Sequence, residues 1–353
     1  MSKAPDFRKR EDKLSPYLKS IMADYLFDEF SESYIRENKM DFLKSVPVPF
    51  KASDILDTKD GNLAYSKLAD NIAMVIGTDT HFKYLGPYMQ FLAMFFNEKL
   101  ISVYTTKGAD ELIKHGYRKA TAYYRAALLL DSTDMMAMFG YACALREWYL
   151  SLEGEDDVEE LIEILKAEST EYFEWAVIEH PEFAPSYYYL GFAYLNAALY
   201  TKAQFIWTRF LEVSKNKESA EYKEIEERLS QLDDPVRIEQ GINKLTTGDL
   251  EAGLKILEPY VDSRYSNWWP LHYYLACTYR ELEQVPEAIE GFKRVLALAP
   301  SNLDANQALA EIYEEQGEEE LSKKYYKKCE IISKNLADDA SDAQGDTEPS
   351  HIN

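Results

Sequence analysis

Basic residues are scarce in this chain, cysteine is nearly absent, and the two helix breakers are rare. The 353 residues hold 39 Lys and Arg against 62 Asp and Glu, a formal net charge of −23. Binding a nucleic-acid backbone takes clustered cations that displace counterions, so the charge argues against nucleic acid as a partner. The longest basic stretch, Lys3 to Lys13, carries five basic and three acidic residues and reads as a solvated, flexible N-terminus, residues 1–13. The three cysteines, Cys143, Cys277 and Cys329, cannot all pair and lie far apart, with no C-x-x-C among them. Neither a disulfide framework nor a zinc site is expected, and buried thiols in a reducing cytoplasm are. The first residues lack an apolar signal core. With 14 Gly, 13 Pro, 27 Tyr and 46% apolar residues, the composition predicts long, tightly packed helices rather than disorder.

Catalytic patterns are missing too. There is no G-x-S-x-G, Walker A, G-x-G-x-x-G or H-E-x-x-H, and His81, His115, His180, His272 and His351 are scattered. His180, before Pro181 at a predicted helix end, suits a capping role. No catalytic residue, cofactor or metal ligand is therefore assigned, and the chain is read as a non-enzyme. One uncharged run, Phe183 to Thr201, is long enough to span a bilayer but contains Pro185, Ser186 and Asn196. Membrane insertion is not expected, because the run has a place in a repeat.

The repeat is a recurring spacing. Ala203 is followed by Trp207; Ala288 by Phe292, Val295 and Pro300; Ala120 by Tyr124, Ala127 and Ser132; Ser169 by Phe173, Ala176 and Pro181. The first positions share one helical face and the last ends the helix. A second pattern precedes it: Tyr187, Leu190, Gly191 and Tyr194; Leu275, Ala276 and Tyr279; Asn306, Leu309, Ala310 and Tyr313. Two short amphipathic helices per unit, recurring about every 34 residues, predict an array of helical hairpins. Gly191 and Ala203 are expected to meet where the helices approach. Trp207 and Phe292 are expected to fill the gap to the next hairpin.

These motifs resemble the tetratricopeptide repeat (TPR) family: Tyr187-x-x-Leu190-Gly191-x-x-Tyr194 with Ala203 and Trp207, and the turns Gly248-Asp249 and Gly317-Glu318. The resemblance implies an all-α fold, a TPR right-handed superhelix of helical hairpins with an N-terminal helical cap, in a bacterial, cytosolic protein. The aligned units are 101–134, 135–182, 184–217, 234–267, 269–302 and 303–336 of an array over 101–336. Unit 135–182 contains an acidic insert with seven carboxylates between Glu153 and Glu163; Gly154 marks a turn, and Val158, Leu161, Ile162 and Leu165 suit a lengthened second helix. A calcium site is not assigned there, since EF-hand spacing is lacking. Residues 218–233 read as a charged helical spacer and 337–353 as an acidic disordered tail. Residues 14–100, outside the period, are expected to form a helical region capping the first repeat. Within it, Leu18 to Phe42, Asn62 to Ile76 and Phe82 to Val103, the last interrupted near Gly86-Pro87, are read as helical, Val46 to Phe50 as extended, and Phe91, Leu92, Met94, Phe95 and Phe96 as buried.

A second stripe on the first helix of each unit points to function. Tyr188, Phe192 and Leu195 lie about 100° from the packing stripe, with equivalents Phe139, Cys143 and Arg146; Ile238, Ile242 and Leu245; Tyr273, Cys277 and Arg280; and Gln307, Glu311 and Glu314. In the family this stripe lines a concave groove. The groove residues assigned are Phe139, Arg146, Tyr188, Phe192, Leu195, Ile238, Ile242, Tyr273 and Arg280. A partner peptide or helix, residues 14–100, or tight curvature could cover so apolar a face. The chaperone-binding members clamp a carboxylate with Lys and Asn on this stripe, and neither stands at these positions. Arg146 and Arg280 are expected to pair with Glu147 and Glu281. The expected function is a non-catalytic scaffold or adaptor for a protein or peptide partner of basic, apolar character. The alternatives are a peptide-responsive signalling regulator, which residues 1–100 do not favour because they contain no basic recognition helix, and a self-assembling structural protein, for which a homo-oligomer would be the form.

Overall fold

A computed structural model describes residues 6–56, 64–96 and 99–345. Lys3, the expected helix start at Asn62 and the tail after Gly345 lie outside these residues. The chain divides into two compact units, Met1–Glu227 and Arg228–Asn353.

In the first unit, short elements precede long helices. They are α1 (Ser15–Leu18), β1 (Leu26–Asp28), α2 (Glu32–Glu37), β2 (Val48–Phe50) and α3 (Ala52–Leu56). The expected helix over Leu18 to Phe42 does not form. Pro47 and Pro49 force the extended backbone of β2, and β1 pairs with it antiparallel, Phe27 opposite Pro49. Ser31 caps α2 by accepting from the Tyr34 N–H at 3.3 Å. Then come α4 (Tyr65–Thr78), α5 (Leu85–Phe95), α6 (Lys99–Ile113) and α7 (Tyr117–Leu130). The Phe82 to Val103 stretch is thus two helices. Phe91 and Leu92 are buried, but Met94 is 49% exposed, contrary to expectation, because α5 ends one residue later and packs on one side only. The hairpins continue with α8 (Met135–Ser151), α9 (Glu159–Glu179), α10 (Ala184–Asn196) and α11 (Tyr200–Val213), and α12 (Ala220–Gln231) holds the division between units. Around the acidic insert, α8 and α9 run 17 and 21 residues. The second unit contains α13 (Asp233–Thr246), α14 (Leu250–Leu257), α15 (Trp269–Glu281), α16 (Val285–Leu298), α17 (Leu303–Glu315) and α18 (Glu319–Gly345). The last helix therefore runs through part of the stretch expected to be a disordered tail. Among the described residues no helix is long and apolar enough to cross a membrane.

The fold is all-α apart from the small two-stranded ribbon. Its hairpins close on a shared turn. His115, Ala198, Gly248, Glu283 and Gly317 take a left-handed backbone, φ from 56° to 88°. The N–H of the following residue reaches back five positions: Leu199 to the Tyr194 carbonyl at 2.9 Å, Gln284 to Tyr279 at 2.8 Å and Glu318 to Tyr313 at 2.8 Å. These bonds satisfy carbonyls that a helix end leaves open.

Small residues set the approach of the helices. A Cβ on Gly191 would fall inside the Trp207 indole, and one on Gly140 inside the Tyr124 ring. Trp207 is fully buried, its Nε1–H donating to the Tyr188 carbonyl at 3.1 Å. The indole thus seats on Gly191 within its own hairpin. On α7, α4 packs so closely that a Cβ on Gly77 would overlap the Ala122 backbone.

The N-terminus is not a solvated tail where it is described. Phe7 and Leu14 are buried. Asp12 pairs with Arg125, which is 1% exposed, and accepts from Ser15 Oγ at 2.6 Å and Thr80 Oγ1 at 2.7 Å. The physical reason is Arg125: a guanidinium on the buried helix α7 needs a counter-charge, and Asp12 supplies it. Burial alone would raise the Asp12 carboxyl, but Arg125 and the hydroxyl donors outweigh it and hold it at about 2.

Gly191→Ala is expected to lose roughly 1–3 kcal/mol by overpacking against Trp207, measured by urea unfolding; an unchanged midpoint contradicts the close approach. Ala198→Gly, which relieves a left-handed backbone, is expected to gain roughly 0.5–1 kcal/mol in the same assay. Asp12 is depressed in the folded state, so its contribution, about 2 kcal/mol, is present above pH 4 and lost as pH falls from about 4 towards 2. Asp12→Asn should cost roughly 3–5 kcal/mol at pH 7, by stranding Arg125, and much less at pH 2. A variant as stable as the parent at pH 7 would remove this pair from the account.

Candidate functional site

In the first unit, the stripe predicted from spacing becomes an aromatic cluster on α8 and α10. Phe139 meets Phe183 edge-on at 5.1 Å and Tyr189 at 5.8 Å, and Tyr189 stacks on Phe173 at 5.7 Å. Tyr188 stands perpendicular to Tyr189 at 5.2 Å and edge-on to Phe192 at 5.0 Å, and Phe192 meets Trp207 at 5.0 Å. Such edge-to-face pairs hold the rings in set orientations. All of the stripe residues here, Phe139, Cys143, Arg146, Tyr188, Phe192 and Leu195, are half-buried. They expose part of each ring while their other faces pack on α9 and α11.

Charge surrounds the cluster. Arg146 lies over the Tyr189 ring at 5.3 Å and donates to Glu147 at 2.5 Å, the pairing expected from sequence. Tyr188 Oη donates to Glu224 of α12 at 2.7 Å. Burial, with this carboxylate beside it, pushes the Tyr188 phenol up to about 12. Glu221 faces the same rings. Burial pushes the Cys143 thiol up to about 12, so it stays protonated and packs as a small apolar group.

Sequence reasoning missed Tyr189, which lies a further turn of about 100° round the helix from Tyr188, beyond the groove stripe. Its signal was the run of three tyrosines at 187–189, which leaves no polar face on that turn of α10. Glu224 was missed because it comes from the spacer, where the hairpin period gives no register.

In the second unit the predicted residues do not form one open face. Ile238 is 4% exposed and packs with Leu254, Leu257 and Leu271, so its assignment as a groove residue is corrected. The reason is local: α14 ends after eight residues, and the chain beyond it folds Tyr260, Val261 and Tyr265 over that cluster. Ile242 is half-buried against the same residues. Tyr273 is half-buried and meets Phe292 edge-on at 5.9 Å. Arg280 pairs with Glu311 at 2.8 Å and Glu315 at 3.1 Å on α17, rather than with Glu281. Two carboxylates one turn apart on the facing helix suit both ends of a guanidinium.

Other polar groups are absorbed by structure. His180 caps α9 and its Nε2 lies 2.6 Å from the Thr133 carbonyl. Asp12, Asp79 and His81 are close enough to share a cation. A cation there would face the Arg125 guanidinium, which already neutralises Asp12.

Comparisons with known proteins agree with the repeat reading. Residues 303–334, α17 and most of α18, match the tetratricopeptide repeat model. No curated protein matches the chain. Among solved structures, YrrB, described as a TPR protein with an unusual peptide-binding site, is 18% identical, with 68% of this chain and 98% of that one covered and a TM-score of 0.31. The TPR domain of P58(IPK) is 16% identical over 70% of this chain and 68% of its own, TM-score 0.34. A MamA fragment from Desulfovibrio magneticus RS-1 is 16% identical over 55% and 96%, TM-score 0.30. Residues 303–334 are thus matched as a tetratricopeptide repeat, and the same left-handed turn closes hairpins before them.

Proposed function

We propose that the protein is a non-catalytic interaction scaffold that binds a peptide or helix on the α8–α10 face of the first unit. The observation that carries this is the half-exposed aromatic cluster of Phe139, Tyr188, Tyr189 and Phe192, with Glu147, Glu221 and Glu224 beside it. Partly exposed aromatic side chains with rigid orientations are the groups that dominate interface energetics. Carboxylates at their rim favour Lys or Arg on the partner, and a chain of net charge −23 attracts such a partner at long range. The ligand that fits is an apolar segment with one or two basic residues. In the second unit, Arg280 is already engaged by Glu311 and Glu315 and Ile238 is core, so that unit is the weaker candidate.

The test is to pan an immobilised peptide library against the full chain, then measure affinity for the selected peptides. Selected sequences should combine Leu or Phe with Lys or Arg. Tyr188→Ala with Phe192→Ala should weaken binding at least tenfold while far-UV circular dichroism keeps its helical signal. Binding should also weaken as salt rises from 50 to 500 mM, because rim charges are screened. A folded double variant with parental affinity defeats the proposal.

A further inference from the structure

The same first unit carries a second, chemically different surface, independent of the α8–α10 reading. The segment from Asp6 to Ser15 lies along α7, α8 and α9. Tyr141, which it touches, is two residues from both Phe139 and Cys143 and so faces the other side of α8. The segment forms no long regular element; its backbone closes locally, Lys9 N–H to the Asp6 carbonyl at 2.9 Å. Its long-range hold comes mainly from side chains. Phe7 stacks on Tyr172 at 5.8 Å, stands edge-on to Tyr141 at 5.7 Å, and lies under the Arg125 guanidinium at 5.4 Å. Arg10 pairs with Glu171 at 2.9 Å and lies 3.9 Å from Glu168, which accepts from Tyr141 Oη at 2.8 Å. Asp12 takes Arg125.

This is the geometry of a bound peptide: an aromatic in an aromatic slot, a cation on two carboxylates, and an acid on a buried arginine. The charges are complementary where they meet, since Arg10 and Lys13 of the segment lie beside Glu160, Glu163, Glu168 and Glu171 of α9. The fit is incomplete. An open groove of about 660 Å³ runs beside the segment, between Arg10, Glu11, Lys13 and those four glutamates. Tyr172 Oη and Arg125 Nε and Nη1 are buried without a hydrogen-bond partner. A segment with one more acceptor and more side-chain volume would fit this slot better than the one that fills it.

We propose that the slot on α7, α8 and α9 is a second docking surface, for a turn-forming segment with an aromatic residue, an arginine three positions on and an acid two beyond. Residues 6–15 fill it as an intramolecular occupant that a partner of that chemistry displaces. Tethering gives the occupant an effective concentration on the order of millimolar, so a free peptide of the same sequence competes poorly with it. The slot opens to such a peptide when the tethered copy is weakened.

The probe is a fluorescent peptide of residues 1–15, and the protein is the full chain. With Phe7→Ala and Arg10→Glu in the protein, the peptide should bind at least tenfold more tightly than it does to the parent. Adding Glu171→Lys to that variant should cost at least tenfold of the gain. A folded double variant that binds the peptide no better than the parent overturns the proposal. Hydrogen exchange on the parent gives an arm that needs no variant. Amides of residues 7–15 should exchange through an opening that α8 and α9 do not share. Equal protection of all three would mean that the segment leaves only with global unfolding, and the slot is then ordinary core.

Discussion

The hairpins are held by aromatic or large aliphatic side chains seated where a facing helix has no Cβ. Tyr124 occupies the space left by Gly108 and Gly140, Trp207 that left by Gly191, and Leu257 that left by Gly241. Each seat does two things. It lets helix backbones approach closely enough to bury a large side chain on both faces, and it fixes the angular position of the remaining side chains on that turn. Phe192 can meet Trp207 edge-on, and Tyr188 can accept the indole N–H on its carbonyl, only because Gly191 lets the indole in. Interiors packed this closely transmit displacement rather than absorb it. The half-exposed rings of α8 and α10 are therefore positioned by Gly140 and Gly191.

A second constraint comes from a single buried cation. Arg125 lies on α7, whose sides are covered by α4, α6 and α8, and it cannot reach water. Asp12 is drawn to it, and the chain around Asp12 follows, carrying Phe7 onto Tyr172 and Arg10 onto α9. The strongly acidic surface thus uses part of its charge locally, Glu171 of α9 on Arg10 of the same chain. Fully exposed pairs such as Lys323 with Glu319 contribute little to stability.

The hairpin array was legible because its signals are local. Helix period, small residues twelve positions apart and turns such as Gly317-Glu318 all depend on neighbours within one unit. The turns at Ala198 and Glu283 were harder, since a left-handed backbone there is imposed by the flanking helices and not announced by glycine. The region before the array was read poorly. Ile21, Tyr25, Phe30 and Tyr34 have no true helical period, and Leu26 to Asp28 between them pair with Val48 to Phe50, a strand about twenty residues further on. The aromatic stripe stays half-exposed on α8 and α10, whereas Ile238 is buried, because the length of α14 and the path beyond it set what that residue touches.

By itself the sequence determined the all-α hairpins, the repeat they resemble and the aromatic character of one helix face. These follow from short-range periodicity, which any chain with that spacing must express to bury its apolar side chains. Tertiary structure alone decided that Trp207 seats on Gly191, that Arg280 spends its charge on Glu311 and Glu315, and that the basic N-terminus lies packed on α7, α8 and α9. In each case the deciding partner is remote in sequence, or is chosen by a close approach or a desolvated charge. Neither leaves a periodic mark along the chain.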